Sequence, residues 1–190
     1  PNVLVQALTH GNELCGALAL VHLFEQGVVP VRGTLTLVFA NVEAYARFDP
    51  ADPHPSRFAD EDLNRVWADE VLLGARDSAE LKRARELRPF VDATELLLDI
   101  HGMSEPCAPL MVCGTQDKNA AYARALGMPE ILLVDTGHPA GLRMVERGGQ
   151  ALALIGLGSV GADRARLDEH SDLDFFVIAA PGHKARFLTG

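Results

Sequence analysis

Two short apolar runs, Val3 to Leu8 and Glu95 to Ile100, each stop at a polar motif that carries a histidine. Runs of this length, bounded by loop residues and rich in large apolar side chains, are typical of strands buried on both faces. Such strands need helices on both sides, and the intervening stretches have the length and period to supply them. The pattern predicts strand 3–8, a helix over about 16–26, strand 34–40, a long loop to Ala59, a short helical turn around Asp62 to Asp69, and helix 78–90. Strand 95–100, a short strand near Leu110 to Cys113, helix 117–126, and strands 131–134, 151–155 and 173–179 complete the series. The expected fold is α/β, a mostly parallel, mixed sheet covered by helices. With 190 residues, 48% of them hydrophobic, the chain can hold one sizeable core, or a core with a small appendage.

Open α/β sheets place their sites in the loops leaving the carboxyl ends of the strands. The first run ends in Thr9-His10-Gly11-Asn12-Glu13 and the second in Asp99-Ile100-His101-Gly102. His10, Glu13 and His101 should therefore meet at one edge of the sheet. Two imidazoles and a carboxylate form a ligand set that catalytic zinc uses, with a fourth position left for water or substrate. The residues also allow a plainer arrangement, in which both histidines are satisfied by hydrogen bonds and Glu13 sits by the dipole of the helix from about Gly16. A third motif, Asp62-Leu63-Asn64-Arg65 with Arg57 upstream, sets two planar cations beside an amide, a group suited to a carboxylate ligand. Its plainer arrangement is a solvated cluster of Asp60, Glu61, Asp62 and Arg65 around Leu63, Val66 and Trp67.

These three motifs, in this order, resemble the succinylglutamate desuccinylase and aspartoacylase family, itself similar to zinc carboxypeptidases. Asn41 after the strand ending at Ala40, and the segment Gly137-His138-Pro139-Ala140-Gly141-Leu142, look like the same family, and the resemblance covers roughly Pro1 to Gly149. It implies a zinc carboxypeptidase-like fold with zinc held by His10, Glu13 and His101. It also implies that Arg57, Asn64 and Arg65 bind the carboxylate of a small acidic acyl-amino acid. The implied reaction is hydrolysis of an amide bond, with zinc polarising the carbonyl. In the family a glutamate from a later strand, followed one residue on by glycine, serves as general base. Here that position falls on Leu154 before Gly156, so the catalytic base is unassigned. A metal-binding protein that lacks the base is the competing reading.

The tail departs from the family. Gly158-Ser159, then Ser171-Asp172-Leu173-Asp174 and the apolar Phe175 to Ile178, look like the opening of a nucleotidyltransferase. That likeness implies a phosphate-holding Ser159 and a magnesium pair, Asp172 and Asp174, although an ordinary strand with an acidic edge has the same appearance. The expected division is an amidohydrolase-like domain over 1–149 and an appended segment over 150–190. Gly148-Gly149 marks the break.

Charge narrows the partners. A formal net charge of −9 and a pI near 5.2 argue against nucleic acid, which needs a basic face. The densest basic run, Lys82 to Arg85 with Arg88, shares its helix with Glu80 and Glu86 and is expected to be a solvated face. No apolar run is long enough to span a membrane. Three cysteines, Cys15, Cys107 and Cys113, form an odd set without a disulfide framework, so a reducing cytoplasm is the expected compartment. Cys15 is expected to pack at a helix start and His54 to be an exposed loop histidine.

Overall fold

The computed structural model describes residues 1–103, 107–115, 117–127, 129–136, 139–147 and 150–155. Its sheet has six described strands: β1 (Asn2–Ala7), β2 (Thr34–Phe39), β3 (Leu96–His101), β4 (Leu110–Gly114), β5 (Ile131–Asp135) and β6 (Gln150–Ile155). Their spatial order is β2-β1-β3-β6-β4-β5. All neighbours run parallel except β4 and β6, which are antiparallel. This is the expected α/β architecture, a mostly parallel, mixed sheet.

Alternation along the strands sends side chains to both faces, and both are covered. Leu4 and Leu97 face a core built with Val38, Trp67, Val112 and the inner side of the helix Ala79–Asp92 through Leu81, Ala84, Leu87 and Val91. Val5, Ala7, Leu98 and Ile100 face the other way, onto Leu20 of the helix Leu14–Glu25 and Ala120 and Ala123 of the helix Asp117–Leu126. In chain order the helices are α1 (Leu14–Glu25), α2 (Val42–Tyr45), α3 (Asp69–Leu72), α4 (Ala79–Asp92), α5 (Asp117–Leu126) and α6 (Met144–Arg147). Gly16 allows α1 to sit tightly on the sheet. A Cβ there would lie 2.9 Å from both the Ala7 Cβ and the Ile100 carbonyl oxygen.

The stretch expected to be loop from Asn41 to Ala59 contains two helical turns. Asn41 caps α2 by accepting from Ala44 N at 3.2 Å, and Pro53 leads into a 3-10 turn, His54–Arg57. A second 3-10 turn, Leu63–Arg65, and α3 replace the single turn expected around Asp62 to Asp69. β6 lies beyond the expected break at Gly148-Gly149, and it pairs between β3 and β4 in the main sheet. Residues 156–190, including Ser159, Asp172 and Asp174 and the expected strand 173–179, lie outside the described residues. Among the described residues no helix is long and apolar enough to cross a membrane.

Candidate functional site

Register decides what meets at the sheet edge. β1 and β3 are adjacent and in step, Ala7 opposite Ile100, so the residues that follow each strand emerge side by side. The chain leaves β1 through Leu8, a buried leucine at φ +58, a conformation costing about 1–2 kcal/mol for a residue with a Cβ. It is held there by Asn41, whose backbone N donates to the Leu8 carbonyl at 2.7 Å. The kink turns Thr9 and His10 back over the sheet edge.

There His10, Glu13 and His101 converge, all three buried, each offering a ligand atom within 4.8 Å of the others. Glu13 joins the imidazoles, with Oε1 at 2.7 Å from His10 Nδ1 and Oε2 at 2.9 Å from His101 Nδ1. Gly102 N donates to the same Oε2 at 3.0 Å. The outer nitrogen of each ring meets a second carboxylate. His101 Nε2 is 2.8 Å from Asp99 Oδ2, and His10 Nε2 is 3.1 Å from Asp62 Oδ1. Asp99 is wholly buried and is itself held by Thr9 Oγ1, 2.8 Å from Oδ1, with Gln6 Nε2 donating to Thr9 at 2.7 Å. Carboxylates behind imidazoles fix the ring and tautomer so that the inner nitrogens face a cation. Two inner Nδ1 atoms and a carboxylate between them suit a divalent metal that takes nitrogen and oxygen donors.

The charges are strongly coupled. Burial would raise the Glu13 carboxyl, but His101 and His10 together hold it well below the usual carboxylate range. Burial would strip the proton from His101, yet Asp99 and Glu13 on either side raise its pKa well above the ordinary imidazole value. Asp62, also opposed by burial, is brought down to about 2 by His10, the Asn64 N–H and Arg65. A cation among these groups takes the place of a proton. Cys15 is buried at the start of α1, its thiol pushed up by burial and by Glu13, and its Sγ is 3.6 Å from the His101 carbonyl oxygen. It packs as expected. His54 is exposed, also as expected.

Arg57, Asn64 and Arg65 are brought to the same place, around Asp62. Arg57 reaches inward, with Nη1 3.3 Å from Glu13 Oε1 and Nη2 3.1 Å from His10 Nε2. Asn64 N donates to Asp62 Oδ1 at 2.8 Å, while its side-chain Oδ1 accepts from Met144 N at 3.3 Å. Arg65 Nη1 donates to the Asn64 carbonyl at 2.6 Å, and its Nη2 is 4.0 Å from Asp62 Oδ2. The Arg57 and Arg65 side chains keep 31% and 24% of their surface, against 5–9% for the three inner residues, so the two cations are the more exposed part of the cluster.

Sequence reasoning had passed over Asp62 and Asp99 as partners of the histidines, and Thr9 and Gln6 beneath them. The placement of Asp99 two residues before His101 on a strand was the available signal, since alternation brings both to one face. Glu80, which shares a helix with the basic run, was given no role by the sequence, yet it is fully buried and accepts from Ala59, Asp60, Glu61 and Asn41. His138, in the segment singled out around Pro139, lies outside the described residues.

Solved structures of similar shape include murine aminoacylase 3 (22% identity, TM-score 0.65, covering 85% of this chain and 57% of that one). A second is a succinylglutamate desuccinylase from Vibrio parahaemolyticus (19%, 0.60, 82% and 57%). A third is an aspartoacylase family protein from Mesorhizobium loti (22%, 0.62, 85% and 52%). The chain thus spans a little over half the length of these structures. No curated protein matched it. Residues 1–173 match the model of the succinylglutamate desuccinylase/aspartoacylase catalytic domain, and with that match the chain belongs to this family.

Proposed function

We propose that this chain carries the metal centre and carboxylate clamp of a zinc-dependent hydrolase that cleaves the amide bond of a small acidic acyl-amino acid. The observation that carries this reading is the convergence of His10, Glu13 and His101 within 4.8 Å, with Asp99 and Asp62 set behind the two rings. His10, Glu13 and His101 would hold the ion. When bound, zinc supplies Lewis acidity toward an amide carbonyl and lowers the pKa of water.

The remaining work belongs to the chain's own groups. Arg65 and the Asn64 amide bind the substrate carboxylate, a planar fork and a donor pre-set by the 3-10 turn. Arg57, held against Glu13 and His10, adds a second permanent positive charge to these carboxylate contacts on the side nearest the ion. Asp99 and Asp62 orient the rings and are committed to them, so neither serves as the proton carrier. The general base is unassigned.

The sequence position where a base is expected holds Leu154, and this favours a second reading, a metal-binding protein without turnover. Elemental analysis of the purified protein, run beside hydrolysis of a panel of N-acyl amino acids with and without added zinc, separates the two. About one zinc per chain with turnover is the expected result. One zinc without turnover selects the second reading, and no zinc under saturating conditions defeats both. Arg65→Lys should keep the metal and weaken substrate through loss of the bidentate fork, by roughly tenfold or more in KM.

A further inference from the structure

Glu80 lies on α4, outside the metal and carboxylate cluster, yet its hydrogen bonds go to the two segments that border that cluster. Its Oε1 accepts from Ala59 N at 2.6 Å and from Asn41 Nδ2 at 3.0 Å. Its Oε2 accepts from Asp60 N at 3.0 Å and Glu61 N at 3.1 Å. Three successive backbone amides therefore curl around one carboxylate, a nest built for an anion and filled by the protein's own side chain.

The position of that nest in the chain gives it significance. Arg57 stands two residues before Ala59, and Asp62 follows Glu61 directly. The held segment is the link between the inward-reaching cation and the Asp62-Leu63-Asn64-Arg65 motif. The fourth bond, from Asn41, leads to the other side of the site. Asn41 caps α2, and the α2 backbone at Ala44 and Tyr45 abuts Gly11 so closely that a Cβ on Gly11 would lie 2.5 Å from either. The helix end is fastened in return. Asp60 Oδ2 accepts from Ala79 N at 2.7 Å, and Ser78 Oγ accepts from Leu81 N at 3.0 Å.

We propose that Glu80 is the positioning residue of the carboxylate clamp, setting Arg57 and the Asn64–Arg65 pair at their working separation against the His10 side of the metal cluster. A buried acid with a purely local role would satisfy its own helix. This one spans three segments, and the segments it joins carry the cations and the histidine loop. Replacing it by glutamine leaves one acceptor oxygen for amides that now have two, and turns an NH2 group toward donors. The loop shifts, while β1, which leads to His10 and Glu13, and β3, which ends at His101, stay in place. The claim about the clamp rests on reading Arg57, Asn64 and Arg65 as carboxylate contacts.

The test compares the wild-type chain, Glu80→Gln and Asp92→Asn, the last a slightly destabilised control whose lesion is an ion pair at the far end of α4. Three quantities are read: bound zinc, succinate affinity by calorimetry in the zinc-loaded proteins, and the imidazole resonances of His10 and His101 in heteronuclear spectra. Glu80→Gln should retain zinc, bind succinate at least about tenfold more weakly, and shift the His10 ring, which touches Arg57 and Asp62, far more than the His101 ring. Asp92→Asn should leave all three unchanged. Equal succinate affinity in Glu80→Gln and wild type, or rings that both stay fixed, would overturn the assignment. If the wild type itself binds no succinate, the carboxylate reading fails, and the histidine resonances alone decide whether Glu80 positions the loop. Should Glu80→Gln not fold, Glu80→Asp is measured instead, with the same ordering of effects.

Discussion

Gly11 shows how little room the histidine loop has. Its backbone N donates to the Arg57 carbonyl at 3.0 Å, and the backbone of α2 presses on its other side. A methyl group there collides with main chain rather than with a flexible side chain, so the loop itself must move. Gly11→Ala should cost about 1–3 kcal/mol of stability, the range for overpacking a tight site. It should also weaken zinc binding, because His10 is the next residue. Denaturant melts with and without zinc measure both effects; a variant with wild-type stability and zinc affinity would show that the loop has slack. The convergence of His10, Glu13 and His101 was legible in the sequence because each histidine motif follows an apolar run. Their partners were not, since a motif names residues and not the neighbours that register supplies. The role of Glu80 was hidden for a related reason. Its helix turns an alternating charged face outward at Lys82 and Glu86, and only the path of the loop 59–61 brings four donors to position 80.

At the level of elements, the six described strands were legible to within a residue at either end, since short apolar runs of five or six residues have few other uses. α2 and α6, of four residues each, were missed. Turns this short are made by caps and tertiary contacts, such as Asn41 on Ala44, more than by any period. α6 is fixed from outside in the same way. Arg147 Nε donates to Asp92 Oδ1 on α4 at 2.6 Å, and its Nη1 donates to Asp69 Oδ1 on α3 at 2.9 Å. The bond from Arg147 is the chief cause that holds the Asp92 carboxyl below its ordinary value, with Arg88 adding to it, against the opposing effect of burial. A carboxyl depressed in the folded state adds stability above its unfolded pKa, and that stability is lost as pH falls through the lower folded value. Asp92→Asn should therefore melt at lower denaturant than wild type at pH 7, and the two should converge under acid conditions below the usual carboxylate range. The carboxylate is well exposed, so the gap is expected to be small and to shrink with salt. A gap that persists undiminished in acid would mean the substitution acts through packing and not through charge.

For the molecule as a whole, the cluster of His10, Glu13 and His101 is a tie between elements distant in sequence. His10 and Glu13 follow β1, His101 ends β3, and Asp62 reaches His10 from the segment that α4 holds through Glu80. An ion bound to the folded chain and not to the unfolded one stabilises by mass action, about 2.7 kcal/mol at a hundred times its Kd. For a chain of this length that amounts to a rise of very roughly 5–10 °C in Tm. Wild type should show this rise on adding zinc and lose it on adding a chelator. Arg65→Lys should respond as wild type does, since Arg65 touches Asp62 and Asn64 but none of the three ligands. His101→Ala should lose the response, because it removes one of two imidazoles and leaves Asp99 buried without its ring partner. A full zinc response in His101→Ala would place the metal elsewhere in the chain. A response lost in Arg65→Lys as well would mean that the clamp and the metal centre are one coupled unit, so that the acid-binding cations help to build the site they face.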